Sequence, residues 1–174
     1  VSTAAGAGGG GGDAGGTDAG GTDTGGVDTG GAGPPPGPGV VLGVIGHDIH
    51  VVANRILAIG LAENGFRPYN LGTNRQASDF ADAALETGAR AVLMSSLNGE
   101  GEKACENTGP LFAARGLADV LLYIGGNLVV GDRPEQEVVR VFRSYGFHRV
   151  FHRPAGFHEV FRTLRQDLSD GHAP

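Results

Sequence analysis

The sequence predicts an α/β protein built on a doubly wound parallel sheet, and three observations predict it. From residue 40 onward, short apolar runs alternate with amphipathic stretches of helix length, the pattern of βαβ units. The first run, Val40-Val41-Leu42-Gly43-Val44-Ile45, is apolar at consecutive positions, which suits a strand covered on both faces. The runs also deliver polar or glycine-rich turns at their carboxyl ends, where ligands bind in open α/β sheets.

Residues 1–39 are a different material. They hold 17 of the 33 glycines, four prolines and four aspartates, and no Lys, Arg, Leu or aromatic residue. Such a segment buries too little apolar surface to offset chain entropy, so it is expected to be a disordered acidic tail, with one folded domain over 40–174. Its Gly-Gly-Thr-Asp repeats and the spacer Pro34-Pro35-Pro36-Gly37-Pro38 have linker composition. The nonapeptide period of calcium-binding Gly/Asp repeats is absent.

The tail aspartates account for most of the formal net charge of -6, leaving a domain too balanced for a nucleic-acid footprint. No apolar run approaches the ~18 residues of a membrane span, and no basic segment followed by an apolar one marks a leader. The single cysteine, Cys105, cannot form an internal disulfide and is expected to be an ordinary thiol. A soluble cytoplasmic protein, with neither nucleic acid nor membrane as partner, is the expectation.

The elements follow in order. The first strand stops at Gly46 and hands over to His47-Asp48-Ile49-His50, after which residues 51–63 have helical apolar spacing. Asn64-Gly65 is a turn signal opening a second strand over 67–71. Residues 77–87 read as a helix with Ser78 as N-cap and Gly88 as its stop. The third strand, 91–95, runs into Ser96-Leu97-Asn98-Gly99-Glu100-Gly101-Glu102, and one helix is expected from there to Arg115, closed by Gly116. The fourth strand, 120–124, ends at Gly125-Gly126. Asp132 and Pro134 suit the cap and first turn of a helix reaching Tyr145. A short last strand over 149–151 and a helix over 156–168 complete the chain. Right-handed crossovers between these strands give a flavodoxin-like sheet of about five strands, in the order 2-1-3-4-5, with helices on both faces.

In that order the loops after strands one, three and four open on one edge, and these loops carry the unusual chemistry. Asp48 is either a cap for the following helix or the carboxylate that holds one ring nitrogen of His50 while the other binds a metal. His47, as the neighbour of Asp48, should point the other way; Ile49 and Val51 flank His50. Ser95, Ser96 and Leu97 are either a polar strand end or part of a lining. Gly125 and Gly126 are either a tight turn or bare backbone against which a ligand presses. Beside them Asn127, Leu128, Val129, Val130 and Gly131 form a mostly apolar loop suited to a large, flat ligand.

The set Asp48-x-His50, Ser95-x-Leu97 and Gly125-Gly126 resembles the cobalamin-binding domain shared by B12-dependent mutases and methyltransferases. Further motifs are Val41-Leu42-Gly43-Val44-Ile45-Gly46, Asn70-Leu71-Gly72, Ser95-Ser96-Leu97-x-Gly99-x-Gly101-Glu102 and Tyr123-x-Gly125-Gly126-Asn127-Leu128-Val129-Val130-Gly131. Together they look like the small (sigma or S) subunit family of methylaspartate mutase, also called glutamate mutase, over residues 40 to about 168.

That resemblance implies a cofactor, adenosylcobalamin, with His50 as the lower axial ligand of cobalt in place of the cofactor's own benzimidazole. Asp48 would hydrogen-bond the imidazole and tune it. The displaced nucleotide tail would run down a cleft, with Ser95 bonding the benzimidazole, Ser96 and Leu97 lining the slot, and the loop from Gly125 to Gly131 along the tail and corrin edge. The radical chemistry would belong to the cofactor rather than to a catalytic side chain. The implied reaction interconverts L-glutamate and threo-3-methylaspartate, with a large TIM-barrel subunit (epsilon or E type) as obligate partner in a heterotetramer. The chain departs from the family pattern Asp-x-His-x-x-Gly at Ala53, and Asn98 stands where relatives commonly carry an aromatic residue.

Other readings make different demands. A stand-alone cobalamin carrier or sensor tethered by the tail needs the same His50. An FMN or phosphate site would need a phosphate cradle in the first loop, which is missing. A zinc hydrolase using His47, Asp48 and His50 would strain tetrahedral geometry. The basic C-terminal third, with Arg140, Arg143, His148, Arg149, His152, Arg153, His158, Arg162 and Arg165, is expected to be a solvated face, with docking of the large subunit as the alternative.

Overall fold

The structure, a computed structural model, describes residues 37–152 and 156–171. Residues 1–36 of the expected tail and Arg153 of the basic stretch lie outside the described residues. Eleven elements follow one another: β1 (Gly39–Val44), α1 (Val51–Glu63), β2 (Arg67–Asn70), α2 (Ala77–Thr87), β3 (Ala91–Ser96), α3 (Gly101–Cys105), α4 (Thr108–Ala114), β4 (Leu121–Gly126), α5 (Glu135–Ser144), β5 (Arg149–His152) and α6 (Phe157–Ser169). The strands form one all-parallel sheet in the order β2-β1-β3-β4-β5. This is the flavodoxin-like order expected from the sequence.

Strand parity builds two cores. Val41, Val92, Met94, Leu122 and Ile124 face one side, where they pack with α2, α4 and α5 through Phe80, Phe112, Val138 and Phe142. Val40, Leu42, Leu93, Leu121 and Tyr123 face the other side, covered by Leu61 of α1 and by Phe161, Leu164 and Leu168 of α6. Pro68 sits on the edge strand β2. Arg67 and Leu71 donate their N–H groups inward, to the carbonyls of Pro38 and Leu42, so the residue without an N–H falls on the outward-facing position where no ladder bond is lost.

Three details differ from expectation. The single helix expected up to Arg115 is two, α3 and α4. The Gly109 N–H donates to the Tyr145 carbonyl at 2.7 Å, and Pro110 has no N–H, so two successive helical bonds cannot form. The N-terminus of α2 is Gln76, not Ser78: the Asp79 carboxylate accepts the Gln76 N–H at 2.9 Å. Gly125 and Gly126 are the last paired residues of β4, opposite Ser95 and Ser96, rather than a turn beyond it.

The basic C-terminal third is not a uniformly solvated face. Arg149 clamps Asp167 of α6 through both carboxylate oxygens at 2.6 and 2.8 Å, and the same carboxylate accepts the Tyr123 hydroxyl at 2.5 Å. His148 Nδ1 accepts the Leu122 N–H at 2.9 Å, His152 is buried, and Arg165 lies over the Phe66 ring at 5.8 Å. Arg140, Arg143, His158 and Arg162 are exposed as expected.

Two stability predictions follow from this packing. A Cβ on Gly60 would come within 2.5 Å of the Phe161 ring. Replacing a helical Gly by Ala normally gains about 1 kcal/mol, but Phe161 is buried and overpacking costs about 1–3 kcal/mol. Gly60→Ala is therefore expected to lower the unfolding free energy measured in urea; a gain would mean that α6 gives way freely. The second concerns alkaline pH. Burial and then Asp167 hold the Tyr123 phenol well above its ordinary range, and burial pushes the Cys105 thiol from 9.0 up to about 12. Both are neutral in the fold but ionise in the unfolded chain, so their contribution is complete at lower pH and lost as pH rises. Melting temperature should fall above about pH 9, and in Cys105→Ala the fall should begin about one unit higher.

Candidate functional site

The site is built around a carboxylate that has been taken out of water. Asp48, at the end of the β1 loop, is 1% exposed. Its Oδ1 accepts the His50 backbone N–H at 3.0 Å and meets His50 Nδ1 at 2.6 Å. Its Oδ2 accepts the Leu97 N–H at 2.5 Å and the Asn98 N–H at 3.3 Å. Burial works to raise the carboxyl, but the N–H groups of Leu97 and His50 and the His50 ring outweigh it and hold it below the ordinary 3.8. Asp48 is therefore not a cap for α1: it ties the loop after β1 to the loop after β3.

An ionised carboxylate only accepts hydrogen bonds, so Nδ1 is the ring nitrogen that carries the proton, and in the neutral ring the lone pair falls on Nε2. The His50 side chain is 57% exposed, and Nε2 has no hydrogen-bond partner among the described residues. An imidazole braced on one nitrogen and open on the other is prepared to bind a metal. Among the described residues no group of three His, Cys, Asp or Glu could hold a metal ion. His50 thus suits a metal that brings its other ligands with it, and the zinc alternative loses its ligand set.

Beside His50 a groove opens between α1 and α6 over the carboxyl ends of β3 and β4, with a cavity volume of about 350 Å³. Positions three, four and seven after His50 bring Ala53, Asn54 and Leu57 to one wall; Phe157 and Val160 form the other. Leu93, Ser95, Tyr123 and Gly125 contribute the floor. The wall and floor are mostly apolar, which fits a long ligand segment rather than a phosphate cradle. Leu97, Gly126 and Asn127 stand at the mouth with Ser95.

The structure divides the residues singled out in the sequence into three groups. Ser95, Leu97, Gly125, Gly126 and Asn127 line the groove, and Asp48 and His50 form the braced imidazole. His47, Ile49, Val51, Val130 and Gly131 are exposed around the mouth or beyond it, with the His47 carbonyl accepting from the Asn98 amide at 3.4 Å. Ser96, Leu128 and Val129 turn their side chains away from the groove. Alternation along β3 turns Ser96 to the opposite face, where it packs on Gly101 and its hydroxyl meets Asn98 Oδ1 at 3.2 Å. Leu128 and Val129, 0% and 2% exposed, belong to the core on that same face.

The paired glycines have separate reasons. Gly126 has φ +117°, and a Cβ there would collide with the Ser96 carbonyl oxygen, so its glycine is demanded by the protein's own backbone. Gly125 meets only ordinary contacts and keeps the groove floor low. Asn98, at the position of the expected aromatic residue, organises the β3 loop by accepting the Glu100 N–H at 2.9 Å.

Groove residues that sequence reasoning missed fall into two kinds. Leu93 and Tyr123 share strand parity with Ser95 and Gly125, and Asn54 and Leu57 share a helix face with His50, so spacing could have found them. Phe151 enters because β5 pairs beside Gly125, and Phe157 and Val160 enter only because α6 folds back over the sheet; no local signal marks them.

Comparison with known proteins bears on the family and the fold. The B12 binding domain family matches residues 38–147. The chain is 48% identical over 129 residues to the glutamate mutase sigma subunit of Carboxydothermus hydrogenoformans, covering 74% of this chain and 94% of the relative. It is 39% identical over 133 residues to the glutamate mutase sigma subunit of Escherichia coli O157:H7, covering 76% and 89%. Among solved structures, a cobalamin-binding protein from Desulfitobacterium hafniense shares the fold with a TM-score of 0.60 at 19% identity, over 74% of this chain and 58% of that one. With a B12 binding domain over most of its described residues and this level of identity across nearly the full length of such relatives, the chain belongs to the glutamate mutase sigma subunit family of cobalamin-binding proteins.

Proposed function

We propose that this chain carries adenosylcobalamin for a radical mutase that interconverts L-glutamate and threo-3-methylaspartate, and that it works only with a large barrel subunit. The observation that carries this reading is the braced and open His50, one helical turn before Ala53 and Asn54 on the wall of an apolar groove. The residues fit the cofactor: one free imidazole nitrogen for cobalt, and a long groove for the nucleotide arm. When bound, the cofactor supplies homolysis of a cobalt–carbon bond and hence a hydrogen-abstracting radical.

The chain's own residues hold and orient. Asp48 fixes the His50 tautomer and keeps the lone pair on Nε2. Ser95 lines the groove with its hydroxyl donating to the Gly43 carbonyl at 3.3 Å, which leaves the hydroxyl oxygen to accept, and Gly125 leaves room for a flat ring system on β4. Leu57, Phe157 and Val160 exclude water from the arm. Ala53 adds one methyl group to the groove wall, which narrows the slot without removing a proposed ligand.

The mouth argues for a covering partner. Ile49 is 78% exposed, Val52 68% and Val130 75%, and apolar side chains left bare around a site are suited to burial by a second protein. Among the described residues the groove lining holds no cluster of cationic side chains to grip a dicarboxylic amino acid, which assigns recognition of the substrate to that partner.

Two measurements test this reading. Cobinamide, which has no benzimidazole of its own to bind cobalt, reduced to its Co(II) form on the protein should show nitrogen hyperfine splitting from an imidazole in its EPR spectrum, and His50→Ala should abolish it. Unchanged splitting in that variant would assign the ligand elsewhere. Mixed with adenosylcobalamin and a barrel subunit of a glutamate mutase, the chain should convert L-glutamate to 3-methylaspartate, while either protein alone gives none; turnover by this chain alone would overturn the need for a partner.

A further inference from the structure

The sequence motif Asn70-Leu71-Gly72 lies at the end of β2, away from the three loops that build the site, yet it reaches the groove through one side chain. The Gly72 N–H donates to Asn70 Oδ1 at 2.9 Å, and Asn54 Nδ2 donates to the same oxygen at 2.6 Å. A backbone N–H can only donate, so Asn70 must present its oxygen there, and Asn54 must in turn present its nitrogen to Asn70. This chain of bonds fixes which way the Asn54 amide points. The end of the relay is Asn54 Oδ1, a buried acceptor without a hydrogen-bond partner.

That atom is anomalous where it stands. Asn54 is 2% exposed and sits on the groove wall between Ala53 and Leu57. Leaving a buried acceptor unpaired costs about 1–3 kcal/mol, and an apolar residue of similar size at this position would avoid the cost. The neighbouring positions on that wall are apolar, so the amide is out of character with its surroundings and is not needed to fill space.

We infer that Asn54 Oδ1 accepts a hydrogen bond from the arm of the cofactor inside the groove, from a hydroxyl or amide N–H, with Asn70 and Gly72 holding the acceptor in register. This deepens the proposed function and rests on it. It gives the mostly apolar α1 wall a polar determinant, and it gives the β2 end a role in ligand recognition. The relay also holds the amide in one orientation: turning it over would set its oxygen against Asn70 Oδ1.

The test separates the arm from the ring. Binding of cobalamin and of cobinamide, the same corrin without its nucleotide, is followed by absorption titration for the wild type, Asn54→Ala and Asn70→Ala. Asn54→Ala is expected to weaken cobalamin about tenfold and cobinamide less than about twofold, with an apo melting temperature close to that of the wild type. Asn70→Ala, which frees the Asn54 amide to turn, should give the same selective loss; it supplies the answer by itself if Asn54→Ala fails to melt cooperatively. Equal loss for both corrins, or no loss for either, would overturn the assignment to Asn54. Failure of the wild type to bind cobalamin at all would instead remove the function on which it rests.

Discussion

The structure depends on one buried anion. Asp48 has almost no contact with solvent, and such a group persists only if its lone pairs are matched by donors. Here the donors are the N–H groups of His50, Leu97 and Asn98 and the ring of His50. Satisfying the carboxylate therefore fixes two loops relative to each other, and it fixes an imidazole as a by-product. The loop after β2 adds a third support, since the Asn74 N–H donates to the Asp48 carbonyl at 3.2 Å and the Gly46 N–H to the Arg75 carbonyl at 2.8 Å. The open nitrogen of the His50 ring is thereby held by the fold's own need to neutralise a charge.

The groove has a different origin. It exists because α1 and α6 cover the same face of the sheet without closing over the carboxyl ends of β3 and β4. At the amino end of the sheet the two helices meet through Gly60 and the Phe161 ring. The Asp167 clamp to Arg149 and Tyr123 locks α6 to the strands beneath. These contacts lie at the closed end, so the fold gains rigidity there and leaves the other end for a ligand. Gly126 supports the mouth for backbone reasons and Gly125 leaves the floor bare, which makes two adjacent glycines answer to unrelated constraints.

Much of this was legible in the chain. A parallel sheet in the order 2-1-3-4-5 followed from apolar runs separated by helix-length stretches, and the pairing of Asp48 with His50 followed from residues two apart on a turn. What stayed hidden depends on direction or on distant packing. Ser96 looked like a site residue from its neighbours, but alternation along β3 sends its side chain to the far core. Leu128 and Val129 read as a greasy platform; both are buried in the core on the side of α2, α4 and α5, which no local pattern reveals. The break between α3 and α4 needed the Tyr145 carbonyl, 36 positions after Gly109 in the chain, to compete for a helical N–H. Asn54 was passed over because a single polar residue on an apolar helix face carries no message until its partners are known.

Two of the amides that neutralise Asp48, those of Leu97 and Asn98, lie 49 and 50 positions further along the chain, and the second wall of the groove is the last helix. Contacts of such long sequence separation form late, because chain closure must precede any reward for it. A partly synthesised chain therefore offers the Asp48–His50 turn without the groove or the loop that holds it. Vitamin loading is an event of the finished molecule, and its loss on unfolding is expected to be as abrupt as the collapse of the sheet itself.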